Sequence, residues 1–208
     1  MERERFVRGF KAEAERTALE LRSELRIGVS GKLEPLRLAE HLQVPVLSIE
    51  DIRYANRAAL EHFLHGRGRE EFSAAALHVG RYRRIILVNP AHSDARQASN
   101  LCHELAHVIL GHDSEGPVGD DGTRNWDHRQ EDEADWMGGC LLIPAQAAEA
   151  SARRGEDDAM VASRFGVSLS MATMRMNTTG ARRIAERAHR RRSVTLSSSI
   201  APTRKSRR

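Results

Sequence analysis

Residues 94–112, DARQASNLCHELAHVILGH, constrain the fold and chemistry of this chain more than any other stretch. Ala98, Leu101, Leu105, Val108 and Ile109 recur at helical spacing, which predicts an amphipathic helix with one apolar stripe on a core. Asp94 stands where an N-cap belongs, with Gln97 placed to complete a capping box. Gly111 stands where a left-handed residue ends a helix. On that helix His103 and His107 are four residues apart and project from one face, so their imidazoles can share a metal ion. Zinc accepts neutral imidazole nitrogen in a four-coordinate shell, and a reactive site keeps one position for water. Glu104 is turned about 100° from His103, beside such an ion, where it can take a proton from that water. An isolated H-E-x-x-H also arises by chance among surface residues, so a second segment must decide.

That segment is 129–144, RQEDEADWMGGCLLIP. It is acidic at its start, apolar at Trp136, Met137, Cys140, Leu141 and Ile143, and stopped by Pro144, the pattern of another helix. Glu131 and Asp135, four apart, share a face. Zinc peptidases with a glutamate ligand carry E-x-x-x-D on a second helix: the Glu binds metal and the Asp orients a ligand histidine by accepting its hydrogen bond. Glu131 fits the first role and Asp135 the second. Glu133 is the rival ligand, but its side chain points about 200° away from that of Glu131, so both cannot serve. An acidic first turn that complements the helix dipole would account for Asp132 and Glu133 without the paired spacing. The other common zinc-peptidase pattern needs a glycine three residues after the second histidine and a ligand six after it. Position 110 is leucine, which leaves Asp113 without its turn, and His112 is one place out of register. Both are expected to be loop residues.

Taken together, ILVNPAHSDARQASNLCHELAHVILGH, RNWDHRQEDEADWMGGCLLIP and ASRFGVSLSMATMRMN resemble the ImmA/IrrE family of metallo-endopeptidases. FKAEAERTALELRSELRI and LRLAEHLQVPVLSI resemble its N-terminal segment, so the likeness covers about residues 6–185. The resemblance implies an α+β fold. A zincin-like catalytic domain (1–154) would hold a small mixed or antiparallel sheet, the active-site helix and the ligand-bearing second helix. A helix-turn-helix-like helical subdomain (155–189) and a basic disordered tail (190–208) would follow. It also implies a cytoplasmic bacterial zinc peptidase that cleaves a repressor-type regulatory protein, relieving repression of a mobile element or a stress response. Carried over by residue, His103, His107 and Glu131 would be metal ligands and Glu104 the catalytic carboxylate. Zinc is the expected ion, with manganese permitted by the same ligand types. The alternative is a non-hydrolytic metal-binding regulator that contacts protein or DNA through its C-terminal helices.

Composition narrows the rest. Aromatic residues make up 4% of the 208, so the core must be mainly aliphatic. The apolar runs fall far short of the roughly 20 residues of a membrane-spanning helix, and no secretory signal pattern opens the chain. Cys102 and Cys140 fall in predicted helices and read as small buried hydrophobes of a reducing compartment. The net charge of +4 hides an asymmetry: residues 103–160 hold 14 acidic and 4 basic residues, whereas 182–208 hold 10 basic and 1 acidic. The acidic centre suits a divalent cation, and the basic tail could touch nucleic acid nonspecifically. Helices are expected over 1–27 and 33–42, a strand over 44–49, a helix or loop over 51–64, and paired strands at 72–79 and 84–88. Residues 83–88 are expected to be an edge strand on which an extended substrate lies. The Gly-rich stretch 113–128 reads as a loop, with Trp126 anchoring its end and His128 a candidate to polarise a substrate carbonyl. Within 157–177 the basic residues Arg164 and Arg175 are too few for a good phosphate footprint.

Overall fold

The aliphatic run RRIILV forms the middle of a small sheet. The computed structural model describes residues 6–52, 57–79, 83–112, 128–187 and Arg190. Strands β1 (Val46–Ser48), β2 (Ala74–Val79) and β3 (Arg83–Val88) lie in the order β1-β3-β2, with β1 parallel and β2 antiparallel to β3. Ile86 is opposite Val46 in one ladder and Ala76 in the other, and it is fully buried. The expectation of an edge strand at 83–88 is therefore corrected: β3 is central and β2 lies outside it. The physical reason is composition. A nearly continuous aliphatic strand gains most from neighbours on both sides, whereas the Ala74-Ala75-Ala76 strand loses little at the margin.

Eight α-helices are described: α1 (Phe10–Glu24), α2 (Pro35–His41), α3 (Arg57–Leu64), α4 (Asp94–Ile109), α5 (His128–Leu142), α6 (Ala145–Arg153), α7 (Asp158–Phe165) and α8 (Leu169–Thr178). Residues 181–187 are also helical. The mixture is α+β, as expected. Helix α4 packs on β2 and β3 with one face and on α5 with another, and α1 covers α5. At the α4–α5 crossing, a Cβ on Gly138 would stand 3.2 Å from the carbonyl oxygen of Cys102. The missing side chain lets the two backbones approach. Leu105, Ala106, Ala134, Met137, Cys140 and Leu141 fill the seam with no exposed surface. Each large aliphatic side chain so buried contributes about 1.5–3 kcal/mol. Both cysteines are free thiols in this core.

The start of α4 differs from the expected capping box. Ser93 is the N-cap, without a side-chain cap bond, and Asp94 is the first helical residue. Gln97 instead donates to the carbonyl of His92 at 2.7 Å, fixing the loop that feeds the helix. The end is as expected: Gly111 has φ of +67°. The N–H of Gly111 bonds the carbonyl of Val108 at 3.2 Å and that of His112 bonds the carbonyl of His107 at 3.0 Å, the paired bonds of a Schellman motif.

Two buried arginines brace the helices. Arg22 on α1 donates to the carbonyls of Leu141 at 2.8 Å, Gly28 at 3.0 Å, Val29 at 3.2 Å and Gly31. Arg175 on α8 donates to the carbonyl of Ile143 at 2.8 Å and pairs with Glu15, whose other oxygen accepts from the N–H of Ala145 at 3.0 Å. The helical pair α7–α8 thus shares the core of the preceding residues, through Val161, Phe165, Val167, Ala172 and Met176. Of the two cations noted in that pair, Arg175 is fully buried and Arg164 is held by Glu156 at 2.5 Å. Among the described residues no helix is long and apolar enough to cross a membrane. Of the turn expected at 80–83, the loop expected at 113–128 with Trp126 and the tail expected at 190–208, residues 80–82, 113–127 and 191–208 lie outside the described residues, whereas Arg83 already belongs to β3, His128 to α5, and Arg190 is helical.

Candidate metal centre

The α4–α5 seam ends in a polar cluster. One turn of α4 separates His103 from His107, and their Nε2 atoms stand 3.2 Å apart. Glu131, in the first turn of α5, brings Oε2 to 3.2 Å from His103 Nε2 and Oε1 to 3.6 Å from His107 Nε2. Among the described residues this trio is the group whose metal-type donors all lie within 4.8 Å of one another. The side chains of His103, His107 and Glu131 are 22%, 15% and 32% exposed, so the cluster is half sunk and open on one side.

Asp135, one turn beyond Glu131, places Oδ1 at 2.9 Å from His103 Nδ1. A carboxylate only accepts, so the ring donates from Nδ1 and turns Nε2 towards Glu131. Two imidazole nitrogens and a carboxylate oxygen then converge, a donor set that a divalent cation such as zinc takes. The spacing fits one: nitrogens each about 2.0–2.1 Å from a tetrahedral zinc ion stand about 3.4 Å from each other.

The electrostatics agree. Burial opposes charge on His103, but the hydrogen bonds to Asp135 and Glu131 outweigh it and push its pKa up to about 10. Burial and the neighbouring His103 push His107 down to about 4. Burial works against the charge of Glu131, yet His103 and His107 hold its pKa below the ordinary carboxylate value. A positive charge is favoured between His103 and Glu131, while His107 is kept as the neutral imidazole that a metal needs.

Glu104 points elsewhere, as its position on the helix requires. Its Oε2 accepts the N–H of Ala76 on β2 at 2.7 Å. The N–H of Asn89 bonds the carbonyl of Ser73 at 2.9 Å, so the ladder bonds of β2 fall on alternate residues and the N–H of Ala76 faces outward. Glu104 thus ties α4 to the outer edge of β2, next to the cluster.

Two residues lie where the sequence reading puts them, Glu133 off the cluster and His112 beyond the end of α4, but they meet in a contact that the sequence did not indicate. Glu133, the rival ligand, is 8% exposed and turns away from the cluster to meet His112, with Oε2 at 3.2 Å from Nε2. His112, expected to be a loop residue, is equally buried and stacks edge-on against His107. The signal was Gly111: a left-handed residue there folds the next side chain back over the last turn. His128 is the exposed first residue of α5 and takes no part in the cluster.

No curated protein and no solved structure matches the chain significantly. The profile of peptidase family M78, described as the IrrE N-terminal-like domain, matches residues 63–177. That span runs from the end of α3 to α8 and contains every residue of the cluster, while α1, α2 and β1 precede it. With more than half of its length covered and an H-E-x-x-H helix set against a glutamate from the next helix, the chain belongs to the ImmA/IrrE family of metallopeptidases.

Proposed function

We propose that the protein is a zinc-dependent endopeptidase that hydrolyses a peptide bond in a regulatory protein of repressor type. The observation that carries this reading is the convergence of His103 Nε2, His107 Nε2 and a Glu131 oxygen within 4.8 Å on one partly open face. These three hold the ion, and Asp135 fixes the ring of His103. A divalent ion held there supplies Lewis acidity, making water nucleophilic near neutral pH and polarising a carbonyl. Glu104 takes the proton of the attacking water and returns it to the leaving amine. The substrate lies extended along the outer edge of β2, where the backbone of Ala74 and Ala76 offers the main-chain hydrogen bonds of strand addition. An entering strand competes with Glu104 for the N–H of Ala76, which brings the substrate beside the carboxylate. Transcriptional repressors as the substrate class, release of a mobile-element or stress regulon, and action in the cytoplasm rest on the family resemblance.

The test is direct. Zinc-loaded protein is incubated with a repressor encoded near its own gene, with and without chelator, beside Glu104→Gln. Defined fragments that vanish with chelator and with Glu104→Gln support the reading. Cleavage that survives both contradicts it.

A further inference from the structure

We propose that His112 and Glu133 form a hydrogen-bonded relay that fixes the ring of His107 for metal binding, making both of them positioning residues of the centre. The inference rests on the metal-binding reading of His103, His107 and Glu131 and deepens it. His112 Nδ1 lies 2.9 Å from His107 Nδ1, and His112 Nε2 lies 3.2 Å from Glu133 Oε2. With both imidazoles neutral and Glu133 accepting, one arrangement of protons satisfies this chain. Glu133 as a carboxylate accepts, so His112 donates from Nε2 and is left with a lone pair at Nδ1. That lone pair accepts the Nδ1–H of His107, and the lone pair of His107 is thereby confined to Nε2, the atom 3.2 Å from His103 Nε2.

The backbone builds the relay deliberately. In a Schellman motif the residue after the left-handed glycine packs on the third residue from the helix end, usually through an apolar contact. Here those two positions are His112 and His107, and the contact is a pair of rings with centroids 5.0 Å apart, crossed at 70°. Arg84 on β3 locks the turn from outside, donating to the carbonyl of His107 at 3.1 Å and to that of His112 at 2.8 Å. Each ligand histidine therefore has an orienting acid on α5: Asp135 acts on His103 directly, and Glu133 acts on His107 through His112. The same relay explains why Glu131, rather than Glu133, faces the centre.

The experiment uses the full chain and zinc itself. Wild type, His112→Ala, His112→Asn, Glu133→Ala, Glu133→Gln and Glu131→Ala are titrated with zinc against a chromophoric chelator. Melting of the metal-free proteins is followed in parallel, and the His107 ring nitrogens are read by 15N NMR in the zinc-loaded forms. Loss of such a supporting hydrogen bond typically weakens metal binding roughly 10–100-fold, and His112→Ala should fall in that range. His112→Asn places an amide oxygen near the lost Nδ1 and should recover most of the affinity. Glu133→Ala should weaken binding, whereas Glu133→Gln, which still accepts from His112, should stay within a few-fold of wild type. The Nδ1 proton of His107 should be visible in wild type and His112→Asn and lost in His112→Ala. Zinc affinity of His112→Ala and Glu133→Ala within about twofold of wild type, with the His107 ring unchanged, would overturn the relay alone. Wild type that fails to bind zinc, or Glu131→Ala that binds as wild type does, would overturn the metal centre and the relay with it.

Discussion

Three glutamates surround two imidazoles, and their surroundings divide the work. Glu131 is a third exposed and faces both Nε2 atoms; Glu133 is nearly buried against His112; Glu104 leans on the backbone of β2. Replacing Glu104 with Gln preserves shape and the acceptor for the N–H of Ala76 but removes the base. Zinc content should be unchanged, while turnover of a cleaved substrate falls by about 10²–10⁴-fold, as single-turnover kinetics would show. Asp135→Ala removes the acceptor for His103 Nδ1 and should weaken zinc binding roughly 10–100-fold by chelator competition. The positions of His103, His107, Glu131 and Asp135 could be read from the chain because each pair lies on one helix at a four-residue spacing, a local geometry. Glu133 could not, because its partner lies on the far side of a helix end and a loop.

At the scale of elements, β2 and the end of α4 carry the most information. The N–H of Ala76 serves Glu104 rather than the ladder, so Ala76→Pro costs the sheet little. It should still cut peptidase activity while leaving zinc affinity within a few-fold of wild type, a separation that titration and kinetics together would reveal. Gly111→Ala meets no atom within 4 Å but must adopt φ near +67°. It should destabilise by about 1 kcal/mol, read from urea unfolding, and weaken zinc binding through the displaced His112. The helices α4 and α5 are legible because apolar period and stops agree along them, although the cap of α4 falls on Ser93 rather than Asp94. Strand order was not, since pairing is decided by which strand gains most from two neighbours. The alternation at 44–49 marks β1 as a strand but does not say which strand it pairs with.

For the whole molecule, charged groups in the core join the parts that hydrophobic patterning leaves unlinked. Arg175 is fully buried and bridges α8, α1 and the α5–α6 corner. Arg175→Met should destabilise by about 3–5 kcal/mol, the cost of breaking a buried pair and stranding Glu15. Neither this bridge nor the four-carbonyl nest of Arg22 is legible in the sequence, where nothing marks either arginine as buried. At the α6–α7 corner the hydrogen bond from Arg154, with Arg164 and Ser151 in support, outweighs burial and holds the Glu156 pKa down at about 2. A depressed carboxylate stabilises the fold above its ordinary value of 4.5 and loses that contribution as pH falls towards about 2. The melting difference between wild type and Glu156→Gln should therefore be largest near neutral pH and shrink steadily below pH 4.5. These devices tie α1, α5, α6, α7 and α8 together around the helix that carries Glu131, and the cation shared with α4 is the claim on which the proposed function stands. The most direct measurement is the anomalous scattering of a zinc-soaked crystal at the zinc edge. The expected result is one strong peak within bonding distance of His103 Nε2, His107 Nε2 and a Glu131 oxygen, with Glu133 turned away on His112. A peak elsewhere, or one bound by Glu133 in place of Glu131, would contradict it.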